Sequence, residues 1–344
     1  MSAAALNLEL AGSAAVYPQK IEDESALLIR MSEADYRRAS FLDDRILTHR
    51  TEGHWFPYAD IRSRAAGAVA AGPAHFIFHS GHVGSTLLSR LLDEAPEVLN
   101  LREPLPLRSL AELHDRASAS EDAVQFQDQL QTFLRLWRRG FVGTRRIVVK
   151  ATSATGRIAP LVLEASPESQ AVYLNVRLET YLATLLAGAN ALSDLEGFAP
   201  ERARRLTRFL GPDQAARVPP SSGELAASAW LTERLTQQRA KQALGGRLLE
   251  IDFDALLAAP EPALAEIARH FGIVNAGDFA RAAARSSLWT RYSKVPEQYE
   301  YSPSMRAELL RGAMREHAEE LRAGLSLIEH LAARHAEVNA LLRK

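Results

Sequence analysis

The chain has 344 residues, of which 47% are hydrophobic and 24% charged, a composition that is ordinary for a globular protein and excludes a disordered or fibrous chain. Lysine and arginine total 41 and aspartate and glutamate 42, so no broad attraction to nucleic acid or to an anionic membrane is implied. Because the chain has no cysteine, disulfides, thiolate metal sites and cysteine nucleophiles are excluded. Any anion that the protein binds must therefore be held by a local site.

No targeting or membrane-spanning segment is predicted. Residues 1–16 are weakly apolar but lack the basic start and sustained apolar core of a signal peptide. No run elsewhere approaches the roughly 18 apolar residues of a membrane helix. We therefore expect a cytoplasmic protein.

Residues 1–72 are predicted to form an N-terminal extension of unknown role. Ser32, with Asp35 three residues later, predicts a helix cap and a short helix. The aromatic segment 54–58 is interpreted as a loop, and the Ala- and Gly-rich stretch 65–72 as a linker.

From residue 73 onward, short apolar runs alternate with helical patterns. The runs predict buried strands at 76–78, 98–101, 147–149, 171–174 and 248–251. The helical patterns lie at 121–139, 178–188, 199–210 and 223–243. Such alternation favours an α/β domain with a parallel sheet and helices on both faces, in three layers, which we assign to residues 73–300.

Helices dominate residues 301–344. One is predicted to open at Ser302 and run towards Leu321, and another to run from about Gly324 to Leu342. The second carries one apolar face, formed by Leu325, Ile328, Leu331, Ala332 and Val338. This face predicts packing on the sheet or on a neighbouring helix. The alternative is a seam through which two copies form a homodimer.

The segment between the first predicted strand and its helix carries the strongest functional signal. It reads Ser80-Gly81-His82-Val83-Gly84-Ser85-Thr86. The two glycines allow a tight turn whose N–H groups approach an anion, and Ser85 and Thr86 add hydroxyl donors. We therefore predict an anion-binding loop, the alternative being a turn whose small residues serve geometry alone.

This loop differs from a Walker A motif. When it is aligned on Gly84 and Thr86, His79 takes the place of the first glycine and Ser85 that of the lysine. The residue that would reach the β and γ phosphates is absent, which weakens a kinase or NTPase interpretation. A ligand with a single phosphate, or with a phosphate bearing another group, is favoured.

The loop resembles the 5′-phosphosulfate loop of sulfotransferases that use 3′-phosphoadenosine-5′-phosphosulfate (PAPS). The bacterial and tyrosylprotein branches are closest in motif, since they place a Glu after the next short strand, where this chain has Arg102-Glu103-Pro104. Residues 253–261, with the helix that ends at 271–273, are similar to a second segment of the family. The resemblance spans about residues 75–295.

The resemblance implies a P-loop-like fold and metal-independent transfer of a sulfuryl group from PAPS to a hydroxyl or amine acceptor. The catalytic residues that it implies are Glu103 as general base, Lys150 as a ligand of the transferring group, and His82. The residues implied for nucleotide binding are Ser80, Gly81, His82, Val83, Gly84, Ser85, Thr86, Arg177, Thr184, Ser293 and Lys294. No metal ligands are expected.

Two departures from the family pattern concern these residues. His82 stands where the family has a permanent cation, Arg or Lys, beside the bridging oxygen, and we expect a bound anion to raise the pKa of the imidazole. The family Ser that follows the 3′-phosphate arginine is replaced by Leu185, with Thr184 one residue earlier.

Alternatives in which these residues have only a structural or surface role stay open at this point. Glu103 is also read as an exposed carboxylate paired with Arg102, Lys150 as a solvated strand end, and residues 291–294 as a surface loop. Two rival functions follow, a small-molecule kinase and a non-catalytic nucleotide-binding protein on the same fold. The acceptor has no readable motif, and neither nucleic acid nor membrane is expected as a partner.

Overall fold

The computed structural model describes residues 9–22, 24–116, 120–212, 220–294 and 300–343. The strands in these ranges are β1 (Val16–Glu22), β2 (Ser25–Arg30), β3 (Gly53–Pro57), β4 (Ala74–His79), β5 (Val98–Arg102), β6 (Arg146–Lys150), β7 (Ala171–Asn175) and β8 (Leu248–Asp252). The α-helices are α1 (Glu33–Arg38), α2 (Tyr58–Ala66), α3 (Ser85–Leu91), α4 (Leu105–Arg116), α5 (Ser120–Trp137), α6 (Ala159–Glu164), α7 (Leu178–Leu186), α8 (Ala189–Leu210), α9 (Ser222–Leu244), α10 (Phe253–Ala258), α11 (Pro260–His270), α12 (Ala276–Ala284), α13 (Pro303–Glu316), α14 (Ala318–Arg334) and α15 (Ala336–Leu342).

The central sheet has five parallel strands in the order β5-β6-β4-β7-β8. Along β4, Ile77 packs into the core on one face, whereas Phe76 and Phe78 pack into the core on the other. The two cores consist largely of helix residues, so the sheet is covered on both sides. This burial explains why each strand reads as a continuous apolar run, and the predicted three-layer α/β class is confirmed.

The N-terminal region contains a second, antiparallel sheet in the order β1-β2-β3. The predicted loop over the aromatic segment is wrong, because Gly53–Pro57 form β3, in which Phe56 is buried and Trp55 exposed. The predicted cap at Ser32 is confirmed, since its side chain accepts from the N–H of Asp35 and the Asp35 carboxylate accepts in return from the N–H of Ser32.

The predicted helix start at Ser302 is confirmed, because its side chain accepts from the N–H of Met305 and caps α13, whereas the division into helices differs from the prediction. The helical segment is interrupted at His317, between α13 and α14, and again at His335, between α14 and α15. Ile328, Leu331 and Val338 are buried in the same core as the sheet, which confirms the predicted packing of the apolar face. No helix in the described ranges is both long and apolar enough to cross a bilayer.

His75, a buried histidine near the start of β4, makes the fold sensitive to acid. The ring of His75 stacks on Phe271 with centroids 5.1 Å apart, and its Nδ1 accepts a hydrogen bond from the N–H of Gln170. Burial, helped by the positive charge of Arg146, lowers the pKa of His75 to about 4. The unfolded chain binds this proton with the ordinary pKa near 6.5. Unfolded molecules therefore bind more protons between these values, and stability falls as the pH drops from about 6.5 to 4.

We expect His75→Gln to remove part of this acid sensitivity. Between pH 7 and pH 4.5 the histidine should account for about 2–3 kcal/mol of lost stability, and the uncharged amide for none. Urea unfolding of both proteins at the two pH values measures the difference. Equal losses in the parent and the variant would contradict the assignment, whatever the absolute stability of the variant.

Candidate functional site

A cavity of about 480 Å³ lies at the carboxyl ends of β4, β5 and β6. β4 and β6 are neighbours in the sheet. From β4 the chain crosses to β5 at one edge of the sheet, whereas from β6 it crosses in the opposite direction to β7. Ligands bind in the crevice at such a reversal of strand order in open parallel sheets. Phe41 and Arg45 of the N-terminal region and residues 301–310 of the C-terminal region complete its walls.

The predicted anion loop turns between β4 and α3 and lines this cavity from Gly81 to Thr86. Gly81, His82 and Gly84 all have positive φ, at 96°, 55° and 70°. A Cβ on Gly84 would lie 2.0 Å from the ring of Phe253, so both the backbone and the packing require glycine there. Ser80 does not line the cavity, and its carbonyl accepts a hydrogen bond from the Tyr181 hydroxyl at 2.9 Å.

The buried side chain of His79 supports the loop through two hydrogen-bond contacts. His79 Nε2 lies 2.9 Å from the carbonyl oxygen of Ala151, and Nδ1 accepts the N–H of Gly81 at 3.1 Å. Burial and the charge of Lys150 hold the pKa of His79 well below its ordinary value, so the ring is neutral. The N–H of Gly81 is therefore already hydrogen-bonded within the protein. Sequence reasoning saw His79 only as a missing glycine, and no pattern indicated this role.

Glu103 and Lys150, from the ends of neighbouring strands, form an ion pair in the cavity wall. Lys150 is 1% exposed, and the Glu103 side chain 15%. Burial lowers the pKa of Lys150, an effect that the negative charge of Glu103 opposes. Glu103 has a φ of 53° and donates its N–H to the carbonyl of Lys150 at 2.6 Å. Strained backbone of this kind concentrates at functional sites.

Two of the alternative interpretations for this pair are wrong. Arg102 does not pair with Glu103 but is fully buried, where it forms an ion pair with Asp93 and donates to the carbonyl of Tyr36 at 2.9 Å. Lys150 is not a solvated strand end, because it is buried against Glu103. Arg102 instead ties the N-terminal region to β5, one residue before Glu103.

His82 lines the cavity, although its side chain is exposed to solvent there. Partial desolvation in the cavity, and then the positive charge of Lys294, lower its pKa to about 4. A bound anion would have to raise this pKa above 7 before His82 carried a charge at neutral pH.

The remaining predicted residues are divided between the cavity and the surface. Thr184, Ser293 and Lys294 line the cavity. The carbonyl of Ser293 accepts from Arg90 Nε at 2.6 Å, which anchors this segment to α3. Arg177 is exposed immediately before α7 and lies outside the lining, and its side chain makes no hydrogen bond or ion pair within the part of the chain that the structure describes.

Sequence reasoning missed Arg306, which also lines the cavity. Its Nη1 donates to Asp254 Oδ1 at 2.8 Å, and its guanidinium lies over the Phe253 ring at 5.2 Å. The remaining terminal nitrogen, Nη2, is buried without a hydrogen-bond partner. Its partner Asp254 lies 52 residues earlier in the chain, so no local sequence signal connected the two.

No protein-family model and no curated protein match this chain. Several solved structures match it distantly. The sulfotransferase domain from the curacin biosynthetic pathway is 14% identical, with 72% of this chain and 97% of that chain covered and a TM-score of 0.41. Sulfotransferase STF1 from Mycobacterium tuberculosis H37Rv is also 14% identical, with 77% and 82% covered and a TM-score of 0.39. Mouse sulfotransferase SULT7A1, complexed with PAP, is 12% identical, with 82% and 98% covered and a TM-score of 0.33.

Proposed function

We propose that this protein transfers a sulfuryl group from PAPS to a hydroxyl or amine acceptor. One observation carries the proposal: the buried Lys150–Glu103 ion pair and the glycine loop 81–86 face the same cavity. In-line transfer between oxygen or nitrogen atoms needs a proton acceptor, a cation and a cradle for the leaving phosphate. These three components are together in this cavity.

The loop is the proposed cradle for the 5′-phosphosulfate, with Ser85 and Thr86 as hydroxyl donors. Arg177 and Thr184 are proposed for the 3′-phosphate, and Ser293 with Lys294 for the closing contact. Two further cavity-lining groups support an anionic ligand. Thr152 Oγ1 and Arg306 Nη2 are buried without hydrogen-bond partners, and such groups normally have one. Phosphate or sulfate oxygens would supply it.

In the proposed reaction, the acceptor oxygen or nitrogen attacks the sulfur as Glu103 takes its proton. The bond from sulfur to the bridging oxygen breaks, and its electron pair remains on the 5′-phosphate. The products are the sulfated acceptor and adenosine 3′,5′-bisphosphate. Lys150 stabilises the negative charge that spreads over the sulfuryl oxygens, and because it is buried its charge acts with little screening.

The proposal is tested by thermal unfolding with adenosine 3′,5′-bisphosphate, with ATP and Mg²⁺, and with buffer alone. A ligand that binds the folded state raises the melting temperature, and the rise grows with the ratio of ligand concentration to dissociation constant. We expect the bisphosphate to stabilise the protein equally with and without EDTA. Stabilisation by ATP and Mg²⁺ alone would overturn the proposal in favour of a kinase.

A matched pair of lysine variants locates the bound ligand. Lys294 lines the cavity, whereas Lys20 lies on β1 and pairs with Glu22. Lys294→Gln should weaken the stabilisation by the bisphosphate, and Lys20→Gln should leave it unchanged. Equal responses of the two variants would place the nucleotide elsewhere.

A further inference from the structure

A second, smaller cavity lies away from the glycine loop. It has a volume of about 120 Å³ and opens where α4, α8 and α9 meet the 3₁₀ turn Ser153–Ile158. Four arginines line it: Arg157, Arg205, Arg208 and Arg239. Nothing in the proposed sulfuryl transfer uses these residues.

One of the four, Arg205, has both terminal nitrogens hydrogen-bonded within the protein. Arg205 donates to Thr236 Oγ1 at 3.0 Å, to Glu201 Oε2 at 2.9 Å and to Glu233 Oε1 at 2.7 Å. Its charge is balanced by two carboxylates, and it joins α8 to α9. We therefore assign Arg205 to the structure of the cavity wall.

Arg157 and Arg239 each have side-chain N–H groups without a hydrogen-bond partner. The Arg157 side chain is 8% exposed, and its Nη2 pairs with Asp115 Oδ2 at 2.7 Å, while Nε and Nη1 are buried without hydrogen-bond partners. Arg239 Nη2 donates to Glu337 Oε2 at 3.3 Å, and its Nη1 is buried without a partner. Buried donors that lack an acceptor are costly to the folded protein.

The charge of the lining favours a negative ligand. Among the described residues, Asp115 is the one carboxylate in the lining, against four arginines. His114 adds no negative charge, and its pKa is lowered by desolvation and by the neighbouring Arg157 and Arg208, against the effect of Asp115. The carboxylates that pair with Arg205 and Arg239, which are Glu201, Glu233 and Glu337, lie outside the lining, so the cavity presents mainly guanidinium donors rather than carboxylate oxygens.

We propose that this cavity binds a tetrahedral oxyanion, phosphate or sulfate, either as the free ion or as the terminal group of a small molecule. The cavity is far below the several hundred Å³ that drug-sized ligands occupy, which suits one such group rather than a nucleotide. Guanidinium groups match its oxygens in geometry and charge. The buried nitrogens of Arg157 and Arg239 supply the donors, and Arg208 adds its charge at the exposed rim.

Two arginines one turn apart on α8 provide the test. Arg208 lines the cavity, whereas Arg204 is exposed and does not. Inorganic phosphate is titrated calorimetrically, at constant ionic strength set with sodium chloride, into the parent protein and the variants Arg208→Gln, Arg204→Gln and Arg239→Gln. Any binding in the glycine-loop cavity is common to all four proteins.

We expect Arg208→Gln and Arg239→Gln to weaken one class of phosphate binding by about tenfold or more, and Arg204→Gln to bind as the parent does. Arg208 is exposed, so its variant should fold even if Arg239→Gln does not. Phosphate binding by Arg208→Gln that equals the parent's would overturn the proposal. Repeating the titration with glycerol 3-phosphate identifies the source: competition with phosphate at this site indicates a phosphorylated small molecule, and its absence indicates the free ion.

Discussion

Replacing Glu103 by glutamine should lower turnover by about 10²- to 10⁴-fold, the usual cost of losing a general base. The amide keeps the shape and can still accept a hydrogen bond from Lys150, but it does not take a proton from the acceptor. Turnover is measured as adenosine 3′,5′-bisphosphate released from PAPS in the presence of an acceptor panel. Glu164→Gln, an exposed carboxylate on α6, is the matched control and should be neutral.

A loss of turnover in Glu103→Gln has a second explanation, which is a change in the charge of Lys150. The negative charge of Glu103 opposes the lowering of the Lys150 pKa by burial, so its loss also makes Lys150 easier to deprotonate. If Glu103 acts only by keeping Lys150 charged, the double variant Glu103→Gln/Lys150→Met should lose no more turnover than Lys150→Met alone. A further loss of turnover in the double variant identifies Glu103 as the base. Normal turnover in Glu103→Gln would contradict both roles.

The sheet and the loop were predictable because their sequence signals are local. A strand buried on both faces must be apolar along its whole length, as the run from Phe76 to Phe78 is. A loop that turns tightly into a helix needs small residues, and Gly84 in particular tolerates no Cβ against Phe253. Glu103 and Lys150 were predicted from the family resemblance together with their places at the ends of two strands, and adjacent parallel strands put such places side by side.

The rest of the site depends on contacts between distant parts of the chain. Phe41 and Arg45 reach the cavity from the N-terminal region, and Arg306 from the start of α13, so neither spacing nor periodicity connects them with the loop. β3 was missed because its aromatic residues lie next to Pro57, which is typical of turns. The break at His317 was missed because helical residues continue on both sides of it.

The 3′-phosphate provides the other large expected effect. Arg177 is proposed to bind it, and Arg177→Gln should weaken adenosine 3′,5′-bisphosphate binding by about 10- to 100-fold, as for a lost charge-assisted contact. Its side chain is exposed and has no partner within the described ranges, so turning it towards the cavity breaks no existing bond. Thr184 of α7 lines the cavity, so it identifies the side of this helix that faces the cavity.

Arg306 is the competitor in this assignment, because it already lines the cavity with a buried, unpartnered Nη2. Calorimetric titration of Arg177→Gln and Arg306→Gln, each with the bisphosphate and with adenosine 5′-monophosphate, separates the two. The arginine that binds the 3′-phosphate should matter for the bisphosphate and hardly at all for the monophosphate. If only Arg306→Gln shows this difference, the 3′-phosphate lies against Asp254 and Phe253, and Arg177 is a surface residue. If neither variant shows it, neither arginine binds that phosphate, and the cavity-lining cations to test next are Lys294, Arg291, Arg108 and Arg45.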